Sequence, residues 1–89
     1  MEKFVQLHVN DNIVIALKSF EADTIINVNG EEVKLIETID FGHKIAIKSI
    51  ATKDKILKYG LSIGSATQDI VPGEHVHSHN LETDYLINQ

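Results

Sequence analysis

The chain has 89 residues, 43% of them hydrophobic and 24% charged, with a formal net charge of −5. That balance describes one globular domain around a single modest core, and excludes a disordered or a membrane-embedded chain. Its eight lysines are scattered and it has no arginine and no cysteine. It therefore lacks the concentrated basic face that nucleic acid requires, arginine's bidentate clamp on carboxylate or phosphate, and any disulfide.

The absence of cysteine fits a reducing cytoplasm. The start, Met1-Glu2-Lys3-Phe4-Val5-Gln6, carries charge early and shows no apolar run of signal-peptide or transmembrane length. A domain this small buries only about 60–65% of its unfolded surface. Support from a partner, or a homo-oligomer when the chain is isolated, is expected.

Short Ile- and Val-rich stretches broken by turn residues predict an all-β domain occupying residues 1–89, with no helical stripe to compete. In chain order the expected strands are Phe4 to Val9, Ile13 to Leu17, Ile25 to Val28, Val33 to Glu37, Lys44 to Lys48, Lys55 to Leu57 and Glu74 to His79. Between the third and fourth stands Asn29-Gly30, the pair favoured by a two-residue type I′ hairpin turn. Three segments then repeat one pattern, two apolar residues six apart around a reversal: Ile39 to Ile45, Ile50 to Ile56 and Ile70 to Val76. Their centres, Phe41-Gly42, Lys53-Asp54 and Pro72-Gly73, suit tight turns. Repeated reversals between short strands predict a compact, irregular β structure full of loops.

The run Glu74-His75-Val76-His77-Ser78-His79-Asn80 carries the clearest chemistry. In an extended strand His75, His77 and His79 would share a face with Cα atoms roughly 7 Å apart. Such a face could direct imidazole nitrogens at one divalent ion or one anion. The plainer alternative is a solvated edge strand. The tail 81–89 reads as a short helix capped by Asn80, a frayed end, or a strap onto a partner, and Tyr85, Leu86 and Ile87 favour the strap. Three loops join titratable groups to turn residues: Asp11-Asn12, Gly42-His43-Lys44, and Lys58-Tyr59-Gly60 running on to Gly64. A lysine in such a loop can bind carboxylate or, once desolvated, exchange protons.

Taken in order, Asn10-Asp11-Asn12-Ile13-Val14-Ile15-Ala16, Gly42-His43-Lys44-Ile45-Ala46, Lys58-Tyr59-Gly60 with Ile63-Gly64, and Val76-His77-Ser78-His79-Asn80-Leu81 resemble the N-terminal domain of the altronate and galactarate dehydratase family. The match is collinear over most of the chain. The resemblance implies a SAF-like domain of the irregular β-clip fold. Because the sequence stops soon after His79-Asn80-Leu81, where fused members continue, it also implies a separate small subunit working with a large catalytic subunit. The implied activity is dehydration of a sugar acid to a 2-keto-3-deoxy acid, or sulfite elimination from sulfolactate in a related enzyme. A binding module without chemistry is the alternative from another class.

By the same resemblance, Lys58, Tyr59 and His43 are expected in catalysis, Lys44 and Asn80 at the substrate, and His77 and His79 at a divalent metal, iron or manganese, held mainly by the partner. His75 and His8 belong to no part of the family pattern. The stretch from Phe20 to Asp40 looks like a variable insertion onto which no family role carries.

Overall fold

The computed structural model describes residues 3–84. Among these residues there is no helix; the strands are β1 (Phe4–Val5), β2 (Ile13–Ala16), β3 (Ile25–Val28), β4 (Glu31–Lys34), β5 (Lys44–Ala46), β6 (Lys55–Lys58), β7 (Leu61–Ala66), β8 (His75–Val76) and β9 (Leu81–Glu82). They form a four-stranded sheet β1-β2-β5-β8, a hairpin β3-β4 and a three-stranded sheet β6-β7-β9, all antiparallel.

The period-two alternation of β2 and β5 makes the four-stranded sheet the middle of three layers. Val14, Ala16, Ile45 and Ile47 point to one side, where Ile26, Val28, Val33 and Leu35 of the β3-β4 arm cover them together with Phe20 and Ile39. Ile13, Ala46 and Val76 point to the other, against Ile56 and Ala66 of the β6-β7-β9 sheet with Ile50 and Ile70. Fully burying a side chain of this size contributes about 1.5–3 kcal/mol. Both faces of the central sheet are therefore stabilised, and its short strands survive because neither is exposed. The stretch from Phe20 to Asp40 supplies six of the ten buried residues of the first core, so its role is structural as well as connective.

Four reversals share one hydrogen-bond scheme. Residues 21–24, 40–43, 51–54 and 71–74 each close on themselves (Thr24 N–H to Glu21 O, His43 to Asp40, Asp54 to Ala51, Glu74 to Val71). The third residue of each takes positive φ: Asp23 at 72°, Gly42 at 85°, Lys53 at 77° and Gly73 at 93°, as a type II turn demands. That residue's N–H then donates to a neighbouring segment, at Leu35, Ala16, Ala66 and Ala46 respectively, and each of those four N–H groups donates back to the carbonyl of the turn's last residue. The residues entering the turns pair as well, Phe20 with Ile39 and Ile50 with Ile70. The six-residue spacing thus occurs four times, and the copy from Phe20 to Ile26 has neither glycine nor proline to mark it.

Several expected boundaries shift. The first strand ends at Val5, the fourth at Lys34, and the expected strand from Glu74 to His79 is only His75–Val76. There the chain turns because the buried Asn80 side chain accepts the N–H of His77 at 2.9 Å and donates to the carbonyl of His75 at 2.8 Å. Of the tail, Leu81–Glu82 is strand β9 paired with β7, and its remainder from Tyr85 onward lies outside the described residues.

Candidate metal centre

Three elements bring the histidines together. β5 and β8 pair Lys44 with Val76 and Ile45 with His75, so one further step of that register sets His43 opposite His77. His43 and His75 also share the sheet side of Ile45, by alternation. His43 Nδ1 and His75 Nε2 lie 2.8 Å apart. Ring centroids are 4.9 Å apart for His43 and His75, 5.4 Å for His43 and His77, and 5.5 Å for His75 and His77. Potential ligand atoms of His43, His75 and His77 all fall within 4.8 Å of one another. His79 follows in the turn, its ring 5.5 Å from that of His75. His43 and His75 are half-buried, His77 and His79 exposed.

The electrostatics favour an uncharged His75 ring. Burial holds the His75 imidazole below its usual value, and His43 pushes the same way; Glu37 opposes them, with smaller contributions from His79 and His77 in the lowering direction. A neutral imidazole offers a lone pair. Three lone pairs converging from two strands and a turn match the nitrogen donors that zinc, iron and related divalent ions accept. The donor set fits a divalent metal.

The lysines form a second group. Lys44 shares its side of β5 with Ala46, opposite to His43 and Ile45, and Lys58 shares its side of β6 with Ile56, facing that same layer. Burial lowers the Lys44 ammonium below its ordinary value, and the like charge of Lys58 adds to this. Neither ammonium has an ion-pair partner among the described residues. Lys58 Nζ lies 5.6 Å from the Tyr59 ring centroid, and Tyr59 is 61% exposed.

Tyr59 and Gly60 form the turn between β6 and β7, both at positive φ (62° and 74°). Their N–H groups donate to the buried carboxylate of Asp11 at 3.0 and 2.7 Å. Asn12 adds two bonds to β6, accepting from Leu57 N–H at 2.9 Å and donating to Lys55 O at 3.0 Å. Asp11-Asn12 is therefore the clamp that positions Lys58. Asn80 plays the corresponding part for the histidine turn, since its amide is engaged by His75 and His77. His8 stands apart from the cluster, its ring packed against Gly60, where a Cβ would come within 2.9 Å of it.

The family resemblance left His75 without a role, although the alternating run read as a possible ion grip contains it. Glu37 was not legible at all: its carboxylate accepts the N–H of His75 at 3.2 Å across 38 residues of chain.

A small all-β domain whose turns gather histidines on one side of a central sheet and lysines on the other is the class these features define. The chain belongs to the altronate/galactarate dehydratase SAF domain family, whose profile it matches over residues 2–84. It is 40% identical over 84 residues to the altronate dehydratase of Bacillus subtilis (strain 168), a match covering 94% of this chain and 17% of that protein. The altronate dehydratase of Escherichia coli (strain K12) is 38% identical over 82 residues, covering 92% of this chain and 17% of the relative. The (2R)-sulfolactate sulfo-lyase subunit alpha of Chromohalobacter salexigens is 46% identical over 47 residues, 53% of this chain and 50% of that one. These relatives are lyases, and the chain spans about a sixth of the dehydratases it matches. Among the described residues no helix is long and apolar enough to cross a membrane.

Proposed function

We propose that this chain is the small subunit of a cytoplasmic hydro-lyase that dehydrates an altronate-type sugar acid to a 2-keto-3-deoxy acid, sharing an active site with a large catalytic subunit and inactive alone. The observation that carries the reading is the meeting of His43, His75 and His77 within ligand spacing of one another. It comes with membership in a family whose relatives are lyases.

Elimination from a sugar acid requires loss of the proton α to a carboxylate and departure of the β-hydroxyl. The α-proton is unacidic until the charge developing on the carboxylate is offset. His43, His75 and His77 would hold a divalent iron or manganese ion, which would supply Lewis acidity at this place. His79, beside His75, is within reach of the same centre. Lys44 and Lys58 offer ammonium groups that lack an ion-pair partner among the described residues, which suits them to hold substrate carboxylate. The lowered value of Lys44 also brings it nearer to proton exchange at neutral pH. Tyr59 donates a hydrogen bond to substrate oxygen, and His43, expected from the resemblance to act in catalysis, serves in this reading as a ligand. Asn80 contributes by fixing the histidine turn. Within this chain the lysines and the histidines lie on different sides of the central sheet, so the expected convergence of Lys44 and Lys58 with His43 and His77 is not seen here. The reading rests on the histidine group, with the large subunit supplying the rest of its pocket.

A second reading, the small subunit of a sulfolactate sulfo-lyase, is favoured by one observation: a relative of this chain is itself a separately named subunit alpha. Sulfite would then replace hydroxide as the β leaving group, with the same carboxylate chemistry. Reconstitution with the family's large subunit, assayed on altronate, galactarate and sulfolactate, tests both. Turnover only in the mixture supports the reading, and the acid consumed separates the two enzymes. Unchanged turnover and metal content in His77→Ala and His79→Ala would remove these side chains from the mechanism, and a chain that ignores the large subunit would be a binding module instead.

A further inference from the structure

We infer that Glu37 is the charge-balancing residue of the histidine centre: its carboxylate holds His75 in position and offsets the charge of a divalent cation bound there. The inference rests on the metal-binding reading of His43, His75 and His77.

The route by which Glu37 arrives is specific to this packing. The chain leaving β4 runs beside the turn 71–74, where Ile36 N–H donates to Gly73 O at 3.0 Å. The approach is so close that a Cβ on Gly73 would collide with the carbonyl oxygen of Lys34. One residue further on, Glu37 Oε2 accepts the N–H of His75 at 3.2 Å. Glu37 is half-buried, and neither ion pair among the described residues involves it, so no lysine neutralises its charge.

Among the groups whose charge acts on His75, Glu37 is the carboxylate and the other three are histidines. The neighbouring acid Glu74 is engaged elsewhere, its Oε1 accepting the N–H of Val71 at 3.0 Å. Three neutral imidazoles bring no charge to a divalent cation, so in a half-buried place its two positive charges need an anion nearby. A carboxylate that also fixes a ligand's backbone meets that need, and outer partners of metal ligands are typically worth about 10–100-fold in affinity. Glu37 stands outside the group of ligand atoms that come within 4.8 Å of one another, which makes it a positioning residue and not a ligand.

The test uses the full 89-residue chain titrated with Co²⁺ and followed by calorimetry and by the visible spectrum of the bound ion. Glu37→Gln keeps an oxygen for the His75 N–H and removes the charge; its affinity should fall at least about tenfold, with the spectrum unchanged in shape. The loss should shrink at high salt, and Glu37→Asp should restore most of the affinity. A Gln variant that binds like wild type would overturn the inference by making the residue's role purely a hydrogen bond. An altered spectrum would also contradict it, by making Glu37 a ligand. Failure of the underlying reading looks different: the wild-type chain would take up no Co²⁺, or His43→Ala would bind it equally well, and the inference would fall with it.

Discussion

Asp11→Ala tests how the lysine group is held. The Asp11 carboxylate is fully buried and accepts two backbone N–H groups, from Tyr59 at 3.0 Å and Gly60 at 2.7 Å. It thereby stabilises a turn in which a tyrosine must adopt φ of 62°. Hydrogen bonds to a charged group contribute about 1.5–3 kcal/mol each. Tyr59 sits in an exposed turn, so water replaces part of what is lost, and the expected cost is roughly 3 kcal/mol. For a domain whose total stability is of the order of 4–13 kcal/mol, that is a large fraction, equivalent to roughly 12–24 °C in Tm. Urea denaturation followed by circular dichroism measures it, and hydrogen exchange should show the Tyr59 and Gly60 amides losing protection. Asp11→Asn should fall between, because its amide presents one acceptor and one donor to two N–H groups. Loss of less than about 0.5 kcal/mol, the level of an ordinary surface change, would refute the assignment of Asp11 as the clamp.

The glycine turns separate two costs. Gly73→Ala should destabilise by more than about 2 kcal/mol, combining positive φ with collision against Lys34 O, whereas Gly42→Ala, with nothing within 4 Å, should lose only the φ term of about 1 kcal/mol; equal losses in urea melts would contradict this. Because His75 titrates below its unfolded value, the unfolded metal-free chain binds more protons as pH falls from about 6.5. Stability should drop across that window, be fully penalised below the folded value, and fall less steeply in His75→Gln; parallel curves would place the pH dependence elsewhere. Lys58→Gln should move the Lys44 ammonium back toward its ordinary value, a shift visible in side-chain NMR titration, and an unmoved Lys44 would mean that burial alone sets it.

Much of the fold can be read where local chemistry is strong. Asn29-Gly30 marks its hairpin with φ of 54° and 90°, and three of the four matching turns declare themselves by spacing and by glycine, proline or Lys-Asp centres. The fourth, Glu21-Ala22-Asp23-Thr24, is masked because it has neither glycine nor proline and Asp23 takes its positive φ, as Lys53 does, without a local marker. β7 is hidden in Leu61-Ser62-Ile63-Gly64-Ser65-Ala66, whose pairing with β6 slips between Ile56 and Leu57. Its Gly64 is explained only by the backbone of Glu82 passing where a Cβ would stand. Tyr59-Gly60 likewise needs Asp11, 48 residues distant from Tyr59. At the site, the alternating histidines are visible in the sequence, but the turn imposed by Asn80 and the arrival of Glu37 depend on contacts between segments far apart in the chain, which no local pattern encodes.

The proposed metal centre requires His43, His75 and His77 to bind one divalent ion through their ring nitrogens. X-ray absorption at the manganese K-edge of the Mn²⁺-loaded chain reads those nitrogens. The expected first shell contains three imidazole nitrogens, with their outer-ring scattering, and falls to two in His43→Ala. A shell of oxygen alone, indifferent to that substitution, would contradict it.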